Sequence, residues 1–274
     1  MTPDKGFRAR RLRLAPFFLA VTILAGCGTT FFLSPAEEAD RLAAAHGWRK
    51  RIVTAGRFDL TTYSRLSDAS DDQLAVYIEG DGNAWLSRNR LSSDPTPKSP
   101  YVLELAVRHG DGKVLYVARP CQYTIKRPAR GCHPSYWAGY RYAPEVVDAV
   151  NRAIDLTKRT ARVRRVVLIG YSGGGVVAAL AAVRRTDVAK LVTIAANLDI
   201  EYWARIDGLT PLRGSVNPVE FGSQLQGIDQ VHFVGSEDDV VPPSVTRSFV
   251  NRLSDRSRVR LITMRGFDHD CCWI

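Results

Sequence analysis

Histidine and cysteine are both scarce in this chain, with 5 of each among 274 residues. No Cys-x-x-Cys pair occurs and the cysteine spacing is poor for zinc, so no metal is expected. The chain lacks a phosphate loop ending in Lys-Ser/Thr, and it lacks a dinucleotide fingerprint with a ribose-binding acid. No cofactor is therefore expected. It carries no nucleic-acid-binding motif despite a formal net charge of +10, and no nucleic-acid partner is expected. The apolar run at 14–25 is too short to cross a bilayer core, which takes roughly 20 residues. Internal repeats and low-complexity segments are missing. What is there is ordinary: 45% hydrophobic and 24% charged residues, ample for one large α/β domain.

Lys5, Arg8, Arg10, Arg11 and Arg13 flank that apolar run, and Leu24-Ala25-Gly26-Cys27 closes it with small residues. This is the layout of a secretory signal peptide. The tetrapeptide resembles the lipobox of bacterial lipoproteins. The resemblance implies that residues 1–26 are removed, that Cys27 is lipidated and that the protein is anchored to the membrane of the cell envelope. Gly28, rather than Asp, after the cysteine implies the outer membrane, facing the periplasm. An ordinary signal peptide with an incidental cysteine is the plainer alternative, and Arg10-Arg11 is a weak twin-arginine pair. Removal of 1–26 takes away five basic residues and Asp4. Lys+Arg then falls from 38 to 33 and Asp+Glu from 28 to 27, about +6 net. Such an excess fits a soluble basic surface, or a weak attraction to anionic envelope surfaces.

Export permits disulfides. With Cys27 set aside, Cys121, Cys132, Cys271 and Cys272 remain. A Cys121–Cys132 bridge would close a short loop worth roughly 3 kcal/mol and is favoured. Cys271 and Cys272 would then be vicinal or reduced, since neighbouring Cα atoms about 3.8 Å apart fall below the usual disulfide span. Two long-range links from the loop to the C-terminus are the rival.

Residues 27–47 read as a tether followed by a helix. Ser34-Pro35-Ala36-Glu37 supplies an N-cap, a proline at the first helical position and a capping box, and Gly47 is the stop. Strands are expected at 50–54, 58–64, 74–78 and 114–117, with a short helix between Ser99-Pro100 and Gly110. An amphipathic helix follows at 144–160, then strands at 191–194, 231–234 and 260–263 and a helix at 244–253. From Leu74 onward strands alternate with helices. The expected fold is α/β over 48–274, a mostly parallel central sheet covered by helices on both faces.

The centre of this pattern is 165–182, RVVLIGYSGGGVVAALAA. An apolar run suited to a buried strand leads into Gly170-Tyr171-Ser172-Gly173-Gly174 and then into a small-residue helix. Strand, Gly-x-Ser-x-Gly and helix make a nucleophile elbow, a strained turn that exposes a serine oxygen above a sheet. Its outer glycines are required because strand and helix backbones crowd there. A serine needs a base, and the base needs an acid to hold its tautomer. His46 and His109 sit at helix ends, His133 lies in the cysteine loop and His232 within a strand. His269 follows the last strand, which makes it the candidate base. Gly235-Ser236-Glu237-Asp238-Asp239-Val240-Val241-Pro242 offers Asp238 as acid, with Asp239 and Asp199 as rivals.

The order Ser172, Asp238, His269 and the alternating topology resemble the α/β-hydrolase superfamily of serine hydrolases. The resemblance implies an acid loop of the form Gly-x-x-Asp-x-x-Val-Pro, which selects Asp238. It implies an oxyanion hole made by the backbone N–H of Gly173 and one from the turn after strand 74–78, here Glu79-Gly80-Asp81-Gly82. By position the second donor is Asp81. Glu79 stands where many relatives carry histidine, and the Asp81 carboxylate must turn away from a developing oxyanion.

Tyr123, Tyr136, Trp137, Tyr140 and Tyr142 cluster in the insert after strand 114–117. Two readings stay open: they rim an open cleft for small or medium acyl substrates, or they pack the insert onto the domain. The segment 195–221 reads as the other long loop and is too short for a large lid. The expected function is hydrolysis of a carboxylic ester or thioester, or an amide. The alternative is a catalytically silent envelope lipoprotein that keeps the fold for binding or scaffolding.

Overall fold

The computed structural model describes residues 1–2, 33–67, 72–124 and 129–274. The signal-like segment and Cys27 lie outside the described residues. Among the described residues no helix is long and apolar enough to cross a membrane.

Strand β1 (Arg49–Ala55) turns at Gly56 into β2 (Phe58–Arg65), and β3 (Gln73–Ile78) follows. A small hairpin, β4 (Trp85–Ser87) and β5 (Arg90–Leu91), precedes helix α2 (Tyr101–Val107) and β6 (Lys113–Val117). Helix α3 (Pro144–Ala161), β7 (Arg165–Tyr171), α4 (Gly173–Val183) and β8 (Val188–Ile194) form the centre of the chain. Helices α5 (Ile200–Ile206) and α6 (Gly222–Leu225), β9 (Gln230–Gly235), α7 (Pro243–Asn251) and β10 (Val259–Met264) complete it.

Eight strands form one sheet in the order β1-β2-β6-β3-β7-β8-β9-β10. From β6 to β10 neighbours run parallel, while β1 and β2 are antiparallel at one edge. Alternation along the strands divides the core. Leu74, Val76 and Ile78 of β3 face the side of α3, α4 and α7, where Val146, Val150, Ile154 and Phe249 are buried. Ala75 and Tyr77 face the other side, with Val102, Leu103 and Ala106 of α2. Helix α4 is buried nearly all round, which explains its glycines, alanines and valines: large side chains would not fit between sheet and neighbouring helices.

Helix α1 (Pro35–Ala45) has its capping box: Ser34 Oγ accepts from Glu37 N–H at 3.3 Å, and Glu37 accepts from Ser34 N–H at 2.9 Å. It is not separable at residue 47. It belongs to the compact unit Leu33–Ile274, with Ala39 and Ala43 in one buried cluster with Trp48 and Tyr63. Asp40 also accepts from Tyr63 Oη at 2.6 Å.

Two further departures from the sequence reading matter for the site. Residues 195–221 are not one long loop: they carry α5 and a 3-10 turn at Pro218–Phe221. Asp199 starts α5 by accepting from Tyr202 N–H at 3.1 Å, the usual contribution of an Asp N-cap. The β4–β5 hairpin is closed by Arg88-Asn89 between the paired Ser87 and Arg90. Its strands are too short to show alternation.

Candidate active site

Ser172 sits between β7 and α4 with φ 50° and ψ −127°, a strained conformation for a residue with a Cβ. The turn survives because its neighbours are glycines. A Cβ on Gly170 would run into the Gly174 backbone, and one on Gly174 into the carbonyls of Ile78 and Glu79. The serine oxygen is thereby lifted to the C-terminal edge of the parallel strands.

His269 arrives from the loop after β10. That loop crosses so close to β9 that a Cβ on Gly235 would strike the Phe267 carbonyl. Tyr171 Oη donates to the His269 carbonyl at 2.6 Å, and Trp273 Nε1 donates to it at 3.2 Å. The ring lies 3.1 Å by Nε2 from Ser172 Oγ and 2.9 Å by Nδ1 from Asp238 Oδ2. An ionised carboxylate only accepts, so Nδ1 carries the proton and Nε2 is free to accept from the serine. Asp238 is buried, and its Oδ1 accepts from the N–H groups of Val240 (3.1 Å) and Val241 (2.7 Å). The Val-Pro continuation of the loop thus fixes the carboxylate.

The rival acids are elsewhere. Asp239 is exposed. Asp199 is buried at the start of α5, where Ser248 Oγ donates to it at 2.6 Å and Arg252 stands 3.7 Å away. His232 is spent inside the sheet between Thr193 (2.8 Å) and Gln230 (3.1 Å), and burial lowers its pKa to about 4. His133 caps the 3-10 turn at Pro134–Trp137.

Gly173 opens α4, so its N–H has no partner within the helix, and it directly follows Ser172. Gly80 passes over the same point: a Cβ there would stand 3.4 Å from Ser172 Cβ. The turn that carries Asp81 is therefore stacked on the elbow. The Asp81 carboxylate is held at 3.1 Å by Arg119 Nη1 and at 2.8 Å by Arg141 Nη1. Burial alone would raise its pKa, but Arg141 and Arg119, with hydrogen bonds from Arg141 and Tyr142, outweigh that and lower it. Glu79 lies beneath. It accepts from Tyr116 Oη at 2.6 Å and from Gly80 N–H at 2.9 Å, and burial raises its pKa to about 7. The sequence pattern did not mark Tyr116, Arg119 or Arg141, since nothing local ties them to residues 79–81.

A cleft of about 640 Å³ opens above Ser172 and His269. Trp85, Tyr101, Tyr171, Trp203, Val240 and Val241 form its less polar walls, with Lys98, Arg141, Asn197 and Asp270 among its polar lining. A larger groove of about 760 Å³ between β1, β2 and α3 contains none of these groups. The aromatic residues of the insert do not rim the cleft. Tyr136 packs edge-on against Phe58, Trp137 Nε1 donates to the Ser92 carbonyl, and Tyr123 and Tyr142 are buried. Tyr140 is exposed but does not line it. Burial of the insert against the domain decides between the two readings in favour of packing.

The Cys121 and Cys132 sulfurs are paired, with Cα atoms 5.5 Å apart, and Cys271 and Cys272 stand as a vicinal pair. Among the described residues no group of three or more His, Cys, Asp or Glu is placed to hold a metal ion.

No protein-family model and no curated protein matches the chain. Solved structures do. An esterase of Pyrococcus furiosus superposes with a TM-score of 0.57 at 13% identity over 82% of this chain and 85% of that one. The esterase Est1E of Butyrivibrio proteoclasticus gives 0.56 at 15% identity over 80% and 90%. An alpha-beta serine hydrolase homologue of Coxiella burnetii gives 0.52 at 16% over 81% and 89%. At such identities the likeness is one of fold. The eight-stranded order, the serine turn between β7 and α4 and these neighbours together assign the chain the α/β-hydrolase fold.

Proposed function

We propose that this protein is a serine hydrolase that cleaves a carboxylic ester or thioester of small or medium acyl length. The observation that carries the reading is the continuous relay Ser172–His269–Asp238, with bonds of 3.1 and 2.9 Å on one histidine. In the reaction Ser172 Oγ attacks the substrate carbonyl carbon as His269 Nε2 takes the hydroxyl proton. Asp238 stabilises the imidazolium, and the N–H groups of Gly173 and Asp81 receive the oxyanion. Collapse breaks the ester bond, and His269 hands its proton to the departing alkoxide or thiolate. Water then attacks the acyl-serine by the same proton route and releases the acid. The open cleft with Trp85 and Trp203 in its walls suits a modest apolar acyl group better than a polymer backbone. Esterases and peptidases both stand among the neighbours, which supports hydrolysis of an acyl group.

Ser172→Ala should lower turnover of a p-nitrophenyl ester by at least about three orders of magnitude. Near-normal rates in the folded variant would remove the nucleophile from Ser172.

The second part of the proposal is location: Cys27 carries the lipid, and the compact unit from Leu33 works at the envelope, tethered to the outer membrane. The Leu-Ala-Gly-Cys sequence behind a basic and an apolar stretch supports it. Cys27→Ser should abolish palmitate labelling and leave unprocessed precursor. Normal labelling of that variant would rule out the anchor.

A further inference from the structure

The insert between β6 and α3 sends four side chains to a single place, the turn after β3. Arg119 and Arg141 stand at its two ends, and both residues are buried, at 4% and 7% exposure. Arg119 Nη1 reaches Asp81 Oδ1 at 3.1 Å, while Arg141 Nη1 and Tyr142 Oη each reach Asp81 Oδ2 at 2.8 Å. Arg119 Nη2 also donates to the Arg141 carbonyl, which ties the ends of the insert to each other. Gln122 Nε2 donates to the Gly80 carbonyl at 3.0 Å, and Asn197 Nδ2 donates to Tyr142 Oη at 3.1 Å.

The carboxylate occupies space that only a glycine leaves open. A Cβ on Gly173 would collide with the Asp81 carboxylate and stand 2.7 Å from Tyr142 Oη. The group therefore lies against the first turn of α4, where the helix end favours negative charge. Two cations meet one buried carboxylate beside the Gly173 amide, and Arg119 also acts on Glu79 beneath it. Burying two guanidinium groups for one carboxylate is expensive as a purely structural device. Beside a reacting carbonyl, the same cations oppose the charge that a lone carboxylate would impose.

We propose that Arg141 and Arg119, assisted by Tyr142, are positioning residues that pin the Asp81 carboxylate against α4, so that the Asp81 N–H rather than its charge faces the oxyanion. The insert is then a clamp on the oxyanion turn, and not a substrate rim. This rests on the acyl-transfer reading of Ser172.

The test compares the parent with Arg141→Met, Arg141→Lys and Tyr142→Phe, each checked for folding by thermal melts. Three quantities are read: kcat and KM for p-nitrophenyl butyrate, and affinity for a trifluoromethyl ketone, which adds to Ser172 and carries the oxyanion. Arg141→Met should lower kcat about 10²-fold, the scale of a lost oxyanion donor, with KM within about threefold. Ketone affinity should fall in parallel. Arg141→Lys should recover part of both, since it keeps the charge but loses the planar fork. If Arg141→Met does not fold, Tyr142→Phe decides: a roughly tenfold drop in kcat and ketone affinity supports the clamp. Folded variants whose kcat and ketone affinity stay within threefold of the parent overturn it. A parent that turns over no ester and takes no ketone overturns the hydrolase reading itself, and the clamp with it. A parent that does both beside indifferent variants overturns the clamp alone.

Discussion

Asp238 and Asp239 are neighbours in sequence, yet only one carboxylate meets a histidine. Asp238 Oδ2 bonds His269 Nδ1 while Oδ1 takes two loop amides, so both its oxygens are committed. Asp238→Asn should leave the imidazole in the wrong tautomer and cost about 10⁴ in kcat. Asp239→Asn should cost little, as a solvated carboxylate does. Asp199→Asn should spare the rate and lower the melting temperature, because Asp199 caps α5 and accepts from Ser248. Steady-state rates and thermal melts on the three variants check this assignment. Glu79 invites a second test. Burial lifts its pKa from 4.5 to about 7, so the folded protein keeps a proton that the unfolded chain has lost. Stability should therefore fall as pH rises from about 4.5 to about 7 and stay low above that. The loss is on the order of 3 kcal/mol if the shift is fully expressed. Glu79→Gln should flatten that decline in urea titrations at pH 5 and pH 8; an unchanged slope would put the ionisation elsewhere. Ser172, His269 and Asp238, which the structure brings together, were legible because each follows a strand in a recognisable turn. The partners of Asp81 were not, since Arg119 and Arg141 lie 38 and 60 residues away and only the folded sheet brings them together.

Among the elements, the turn between β7 and α4 carries the strictest packing. Gly174→Ala would push a methyl group into the Ile78 and Glu79 carbonyls, and β3 cannot retreat because it is paired on both sides. The expected cost is about 3 kcal/mol, the upper end for overpacking, read by urea denaturation; a neutral effect would mean that the elbow has slack. The insert is stapled by Cys121 and Cys132. Their joint replacement by serine should lower stability by roughly 3 kcal/mol, measured under oxidising conditions. Strands and main helices were readable from alternation, caps and apolar faces. Helix α5 was missed because its signal is the Asp199 cap alone, and the hairpin at 85–91 because two- and three-residue strands have no period to detect. The insert's aromatics left rim and packing equally open, since composition does not say which way a ring faces.

At the scale of the whole molecule, an eight-stranded sheet holds a serine, a histidine and an aspartate from three separate loops in one relay. The parallel run of the sheet follows from the alternation of strands and helices, whereas its order, with β6 between β2 and β3, was not legible in the sequence; the relay follows from the positions of those loops on the sheet. In the proposed reaction Ser172 is an activated nucleophile. That activation is tested most directly by incubating the protein with a fluorophosphonate and locating the adduct by mass spectrometry. One phosphonyl group should form, on Ser172, be lost in Ser172→Ala and form far more slowly in His269→Ala. An unlabelled parent, or equal labelling of parent and Ser172→Ala, would contradict it.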